Sequence, residues 1–256
     1  MKRAPLIVHC HMPKTAGSAL NRRVFLPRFD AARTWLAYGV AVERRRALDQ
    51  AEAPARPAFI AGHVPYGFAD PLGRETVHVS VLRDPVDRVV SFLNYVAVAE
   101  RHGARRKFRE DMQALAREDP SRFAEMILSQ DHVRIRQSNT MVRLASGMPR
   151  LGKRKPGFWR LGVALKRLNG PDYLVGLQDR FDDFAAFLAD YCDDRGVGRR
   201  ARSTGHDDNA DKRFSKVIRA SDLSPKTLDL IRSINSLDLH FFEATEAVWD
   251  KRRMAA

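Results

Sequence analysis

Cysteine is nearly absent from this chain: 256 residues carry two, Cys10 and Cys192. Two distant thiols supply neither a disulfide framework nor a metal-binding spacing, and a reduced, cytoplasmic compartment is the default expectation. Long apolar runs are missing too. No stretch approaches the roughly 18–20 apolar residues that a membrane helix needs. The opening residues Met1-Lys2-Arg3-Ala4-Pro5 lead only into Leu6–Val8, which His9 interrupts, so they do not form a signal-peptide core. No internal repeat is visible, and no linker is long enough to separate two domains. The expectation is one domain over residues 1–256. Acidic residues are outnumbered, 31 against 45 basic, for a net charge of +14. Lysine is scarce among the basic residues, at ten, so arginine supplies most of the charge. What is present in quantity is ordinary globular material. Hydrophobic content of 44% and charged content of 30% exclude disorder over most of the chain, and this length buries a core without staples.

The arginine excess points to an anionic partner, because a planar guanidinium makes bidentate contacts with phosphate, sulfate or carboxylate. A solvated arginine-rich surface is the plain alternative. Along the chain, Leu6–Met12 reads as a short strand, followed by a helical pattern from Ser18 to Leu26 and another from Val40 to Ala51. Strands are expected at Ala58–Ala61, Thr76–Leu82 and Tyr173–Leu177. Helices are expected from Pro85 to about Arg101, from Phe181 to Tyr191, and around Ser224–Ser236 and Leu239–Arg252. A helical insertion occupies about 101–170. Strands separated by helices predict an α/β fold with a parallel sheet flanked by helices.

Two motifs carry chemistry. The first is strand, then Pro13-Lys14-Thr15-Ala16-Gly17-Ser18, then helix. Gly17 permits a tight turn, the amides that follow form an anion site, Lys14 brings charge, and Thr15 and Ser18 bring hydroxyls. The logic is that of a P-loop but the spacing is not, since Lys14 precedes the only glycine. The second is Arg83-Asp84-Pro85-Val86-Asp87-Arg88-Val89-Val90-Ser91. Arg83 leaves a strand end, where open α/β sheets bind ligands. Asp84 and Pro85 start a helix, and Ser91 shares a helical face with Arg88 and Tyr95. Arg83 and Ser91 are suited to hold one phosphate. His63, after the Ala58–Ala61 strand, is the best general-base candidate, because imidazole titrates near neutrality. His11 is the fallback. His9 and His11 alternate along the first strand and share a face, as strand packing or site lining rather than a metal pair. His78 lies inside a strand and reads as structural.

Taken together, these motifs resemble those of the sulfotransferases that use 3′-phosphoadenosine 5′-phosphosulfate. The likeness is closest to the carbohydrate branch, of the uronyl (heparan sulfate) 2-O-sulfotransferase type. Gly62-His63-Val64-Pro65-Tyr66 and Tyr173-Leu174-Val175-Gly176-Leu177 also match that branch. The resemblance covers residues 5–100 well, 170–190 fairly and 101–170 weakly. It implies a P-loop-like fold and a donor site of Lys14, Thr15, Ala16, Gly17, Ser18, Arg83 and Ser91, with Arg202 in a loop closing over the nucleotide. Many relatives have a second glycine where Ala16 stands. The resemblance further implies His63 as base, Lys14 on the bridging oxygen, the bisphosphate as product, and no metal. The acceptor it implies is a glycan hydroxyl, acidic in keeping with the charge; small alcohols and peptide hydroxyls stay open. A nucleotide kinase and a basic nucleic-acid-binding protein are the alternatives. Against the latter, no nucleic-acid module is recognisable, and no nucleic acid is expected as partner. The basic segments Arg101–Arg109 and Arg150–Arg160 read as solvated faces before they read as grooves.

Overall fold

The computed structural model describes residues 4–38, 57–98, 106–147, 157–199 and 217–254. The chain forms two compact units. One comprises Met1–Arg83, Met141–His206 and Phe241–Ala256, the other Asp84–Thr140 and Asp207–His240. The helical segment expected over 101–170 is thus divided between them at Thr140 and Met141. The helix expected at Val40–Ala51, the loop containing Arg202, and most of the segments Arg101–Arg109 and Arg150–Arg160 lie outside the described residues.

The first unit holds a five-stranded, wholly parallel sheet. Its strands are β1 (Leu6–Cys10), β2 (Thr34–Leu36), β3 (Phe59–Gly62), β4 (Thr76–Leu82) and β5 (Tyr173–Leu177), in the order β2-β3-β1-β4-β5. Every residue of β1 and β5 is buried. A parallel sheet covered on both faces requires such apolar runs rather than alternation. Even so, β1 divides its side chains. Leu6, Val8 and Cys10 join Ala37, Ile60, Val64 and Ala69 in one core cluster, so the period of two leaves Ile7 and His9 for the opposite face. There His9 meets Phe25, which packs on Phe59 at 4.8 Å. The helices α1 (Gly17–Leu20), α7 (Gly157–Leu168) and α8 (Phe181–Asp194) belong to this unit. Gly176 of β5 lets α8 approach, because a Cβ there would sit 2.1 Å from the Phe184 ring.

Two local readings differ from the sequence expectation. The helix expected over Ser18–Leu26 is regular only through Leu20 and widens into a π-helical turn at Asn21–Phe25. Strand β2 was not expected at all. Its three residues are too few for a periodicity signal, and it exists because β3 offers a free parallel edge.

The second unit is helical. It contains α2 (Pro85–Val98), α3 (Arg106–Glu118), α4 (Pro120–Ser129), α5 (Asp131–Gln137) and α9 (Pro225–Ile234). Val89, Leu93, Phe123, Ile127 and Ile231 form its core. The Asp84 carboxylate accepts from the Asp87 amide at 2.8 Å, capping α2 as the sequence predicts. Arg88 differs from expectation. The spacing groups it with Ser91 and Tyr95, yet it is fully buried, donating to the Gln137 side chain (2.9 Å), the Gln137 carbonyl (2.7 Å) and Asn235 (3.1 Å). Tyr95 is exposed. Helices α6 (Thr140–Ala145) and α10 (Ser236–Met254) are the remaining α-helices among the described residues.

Candidate active site

The sheet order sets the location. The chain runs from β1 outward to β2, returns to β3 beside β1, and then crosses to β4 on the other side of β1. The carboxyl end of β1 is therefore a topological switch point, where diverging connections leave a crevice. Three sequence-predicted features leave the sheet at this edge. Pro13–Ser18 follows β1, His63 follows β3, and Arg83 follows β4.

The turn after β1 is held in an uncommon conformation. Lys14 and Ala16 both have φ of 69°, the left-handed region, and Thr15 between them does not. Alternating hands across successive residues turn backbone amides toward one side, the geometry of an anion-binding nest. For non-glycine residues each such φ costs on the order of 1 kcal/mol. A glycine at position 16 would adopt this conformation without that cost. The Thr15 side chain is fully buried and its hydroxyl donates to the Met12 carbonyl at 2.9 Å, so it braces the turn. Ser18 is exposed and Lys14 partly buried. Gly17 is required sterically, because a Cβ would lie 2.1 Å from Cδ2 and 2.5 Å from Nε2 of His11. The His11 ring thus lies against the backbone of the turn.

Histidines gather around it. The His9 and His11 rings stack at 5.3 Å with 14° between planes, and His11 lies 4.9 Å from His63. His63 Nδ1 is 2.8 Å from the His11 carbonyl oxygen. A carbonyl only accepts, so Nδ1 carries the proton, and neutral His63 keeps its lone pair on Nε2. Two residues that sequence reasoning missed complete the group. The Asn21 side chain bridges His9 Nδ1 (2.5 Å) and the Tyr38 hydroxyl (2.8 Å), and that hydroxyl contacts His11 Nδ1 at 2.8 Å. Tyr38 also meets His63 edge-on at 5.2 Å. Nothing in the sequence pattern marks Tyr38, since its place depends on β2. Gly62 makes it possible: a Cβ there would strike the Ala37 carbonyl oxygen at 2.2 Å, so only glycine lets the chain pass from Ala37 to Tyr38 across the end of β3.

Burial keeps two of these rings, His9 and His11, uncharged. His9 is pushed down to about 4, chiefly by burial, with the His63 ring adding to the effect. His11 falls to about 2, from burial first and then from His9 and His63. Among the described residues no group of three His, Cys, Asp or Glu side chains is arranged to hold a metal ion. Arg83 is partly buried, and its Nε–H is a buried donor without a hydrogen-bond partner. Ser91 is partly buried on α2, in the helical unit. His78 is buried within β4, and its Nε2 accepts from the Gly67 amide at 3.0 Å, the structural part its position suggested.

The sheet edge therefore combines an amide-lined turn, an unpartnered guanidinium donor and an imidazole whose Nδ1–H is held by the His11 carbonyl, which leaves Nε2 as its basic nitrogen. That set is fitted to a hydroxyl reacting beside an anionic group. No helix among the described residues is long and apolar enough to cross a membrane. No family model matches the sequence, and no curated protein matches it. Among solved structures, the chain is similar to mouse sulfotransferase SULT7A1 complexed with PAP, at 13% identity and a TM-score of 0.49, covering 98% of this chain and 90% of that one. Retinol dehydratase in complex with retinol and PAP gives 14% identity and 0.38, covering 91% and 81%. The same enzyme in complex with androsterone and inactive cofactor PAP gives 15% and 0.35, covering 90% and 64%. At such identities and TM-scores these likenesses assign neither an activity nor a ligand to this chain.

Proposed function

We propose that this protein is a sulfotransferase that moves the sulfuryl group of 3′-phosphoadenosine 5′-phosphosulfate to a hydroxyl, and that the acceptor is a glycan. The observation that carries the reading is the grouping of His63, His11 and the Lys14–Gly17 turn at the carboxyl end of β1. It adds to the motif resemblance, which spans both the turn and the Arg83–Ser91 segment. The fit to an anionic nucleotide rests on this chain's own groups. The left-handed turn is a cradle for an anion, and the orphaned Arg83 Nε–H lacks an acceptor that a phosphate would supply.

The donor supplies an activated sulfuryl group and a stable leaving bisphosphate. The chain's part is then positioning and electrostatics, as in phosphoryl transfer. His63 Nε2 takes the proton of the attacking hydroxyl, while Lys14 offsets charge on the departing oxygen. Arg83 binds the 3′-phosphate; Ser91 and Arg202 keep the donor-binding roles that the resemblance implies. An acidic glycan acceptor is in keeping with a charge of +14.

The test is incubation with labelled donor and a panel of acidic and neutral glycans. Transfer to a glycan is expected, and His63→Ala should lower turnover roughly 10²–10⁴-fold while leaving adenosine 3′,5′-bisphosphate binding intact. Arg83→Ala should weaken that bisphosphate about 10- to 150-fold and affect adenosine 5′-phosphosulfate little. Tight binding of ATP that disappears with a chelator, with no sulfuryl transfer, would overturn the reading in favour of a kinase.

A further inference from the structure

We infer that His11 is a neutral hydrogen-bond donor to an oxyanion held by the Pro13–Ser18 turn, and that Tyr38 is the positioning residue that sets its tautomer. The first half rests on the proposed function for the identity of that oxyanion as the sulfuryl group, and the second half stands without it.

The argument follows the protons through four side chains. His9 is completely buried, its Nδ1 meets Asn21 Oδ1, and its Nε2 has no partner. With the proton on Nδ1, His9 donates to Asn21 Oδ1 and the orphan at Nε2 is a lone pair. With the opposite polarity, the orphan would be an N–H in a dry interior, which is rarer and costlier. Asn21 therefore presents its amide nitrogen to Tyr38, donating to the hydroxyl at 2.8 Å. The Tyr38 hydroxyl, already an acceptor, has one proton to give, and among the described residues its other hydrogen-bond neighbour is His11 Nδ1 at 2.8 Å. Since Nδ1 accepts, the proton of neutral His11 resides on Nε2.

That nitrogen is the one against the turn. Nε2 is 2.5 Å from where a Gly17 Cβ would be, so the absence of that side chain lets the ring nitrogen lie directly against the backbone of the turn. Burial holds the ring neutral, so it offers one directed N–H without a second full charge beside Lys14. His63, whose Nδ1–H is spent on the His11 carbonyl, packs beside the His11 ring as the complementary group. Two histidines in ring contact at 4.9 Å are thus set to opposite tautomers, one to donate and one to accept.

Nitrogen-15 NMR of the imidazoles of the full chain, without any nucleotide, tests the tautomer directly. His11 is expected as the Nε2–H form. Tyr38→Phe should shift it toward the Nδ1–H form; Tyr38 is 39% exposed, so the substitution leaves the core alone. Titration with inorganic sulfate should then perturb the His11 Nε2–H signal. His11→Ala should weaken sulfate roughly 10-fold, and His11→Gln, which keeps an N–H, should restore much of it. An Nδ1–H tautomer in the wild type, an unchanged tautomer in Tyr38→Phe, or sulfate binding indifferent to His11→Ala would each overturn the inference. Absence of sulfuryl transfer together with the expected tautomer and sulfate results would overturn only the proposed function. Transfer together with the wrong tautomer would overturn only this inference.

Discussion

Acidification should unfold this protein well above the range where carboxylates titrate, because three buried histidines are held neutral. His9 and His78 are lowered to about 4 and His11 to about 2 from an ordinary 6.5, in each case chiefly by burial. All three are depressed in the folded state, so below pH 6.5 the unfolded chain binds protons that the native chain refuses. Stability is fully present above 6.5 and is lost as the pH falls toward the folded values. Between pH 7 and pH 5 an unfolded imidazole goes from mostly neutral to almost wholly charged while a native one barely titrates. At about 1.4 kcal/mol per pH unit per proton, that difference is roughly 2 kcal/mol for each ring. Three rings together remove about 5–6 kcal/mol, comparable with the whole stability of an ordinary domain. Equilibrium urea unfolding at pH 7, 6, 5.5 and 5 measures the loss. His78→Gln should flatten the slope by about one proton, or ~1 kcal/mol per pH unit near pH 5. A loss below about 2 kcal/mol between pH 7 and 5, or imidazole resonances of His9 and His78 that titrate near 6.5 in the folded protein, would refute the reasoning.

Gly17→Ala should be far more harmful than an ordinary turn substitution, because its Cβ would overlap the His11 ring at 2.1 Å and push Nδ1 off Tyr38. Sulfate binding followed by NMR should be abolished while far-ultraviolet circular dichroism is retained, and normal sulfate affinity would count against the packed-ring geometry. Arg88→Ala should destabilise by about 3–5 kcal/mol, since it strands the buried Gln137 and Asn235 acceptors. Urea unfolding measures that loss, and a change under about 1 kcal/mol would show that Arg88 is not part of the core of the helical unit.

The order and type of most elements were legible in the chain. Valine-rich Thr76–Leu82, Asp84-Pro85 at a helix start, and glycine- and proline-bounded Ala58–Ala61 are local signals, and local sterics and capping decide them. The turn of Lys14 to Ser18 and the candidates His63 and Arg83 were legible for the same reason: a short motif following a strand carries its own geometry. The burial of Arg88, by contrast, was not legible, because helical spacing cannot tell which polar face a neighbouring helix will cover. Strand β2 carried no periodic signal, and with it went Tyr38. That residue reaches the site only because β2 pairs with β3 and Gly62 leaves room for Ala37. Asn21 likewise acquired its part when the helix widened to a π turn beside His9. The sequence by itself determined which residues could bind an anion or move a proton, since those are properties of side-chain type and local turn. Only the tertiary structure decided which nitrogen of each histidine holds the proton, because that depends on hydrogen-bond partners brought from distant strands.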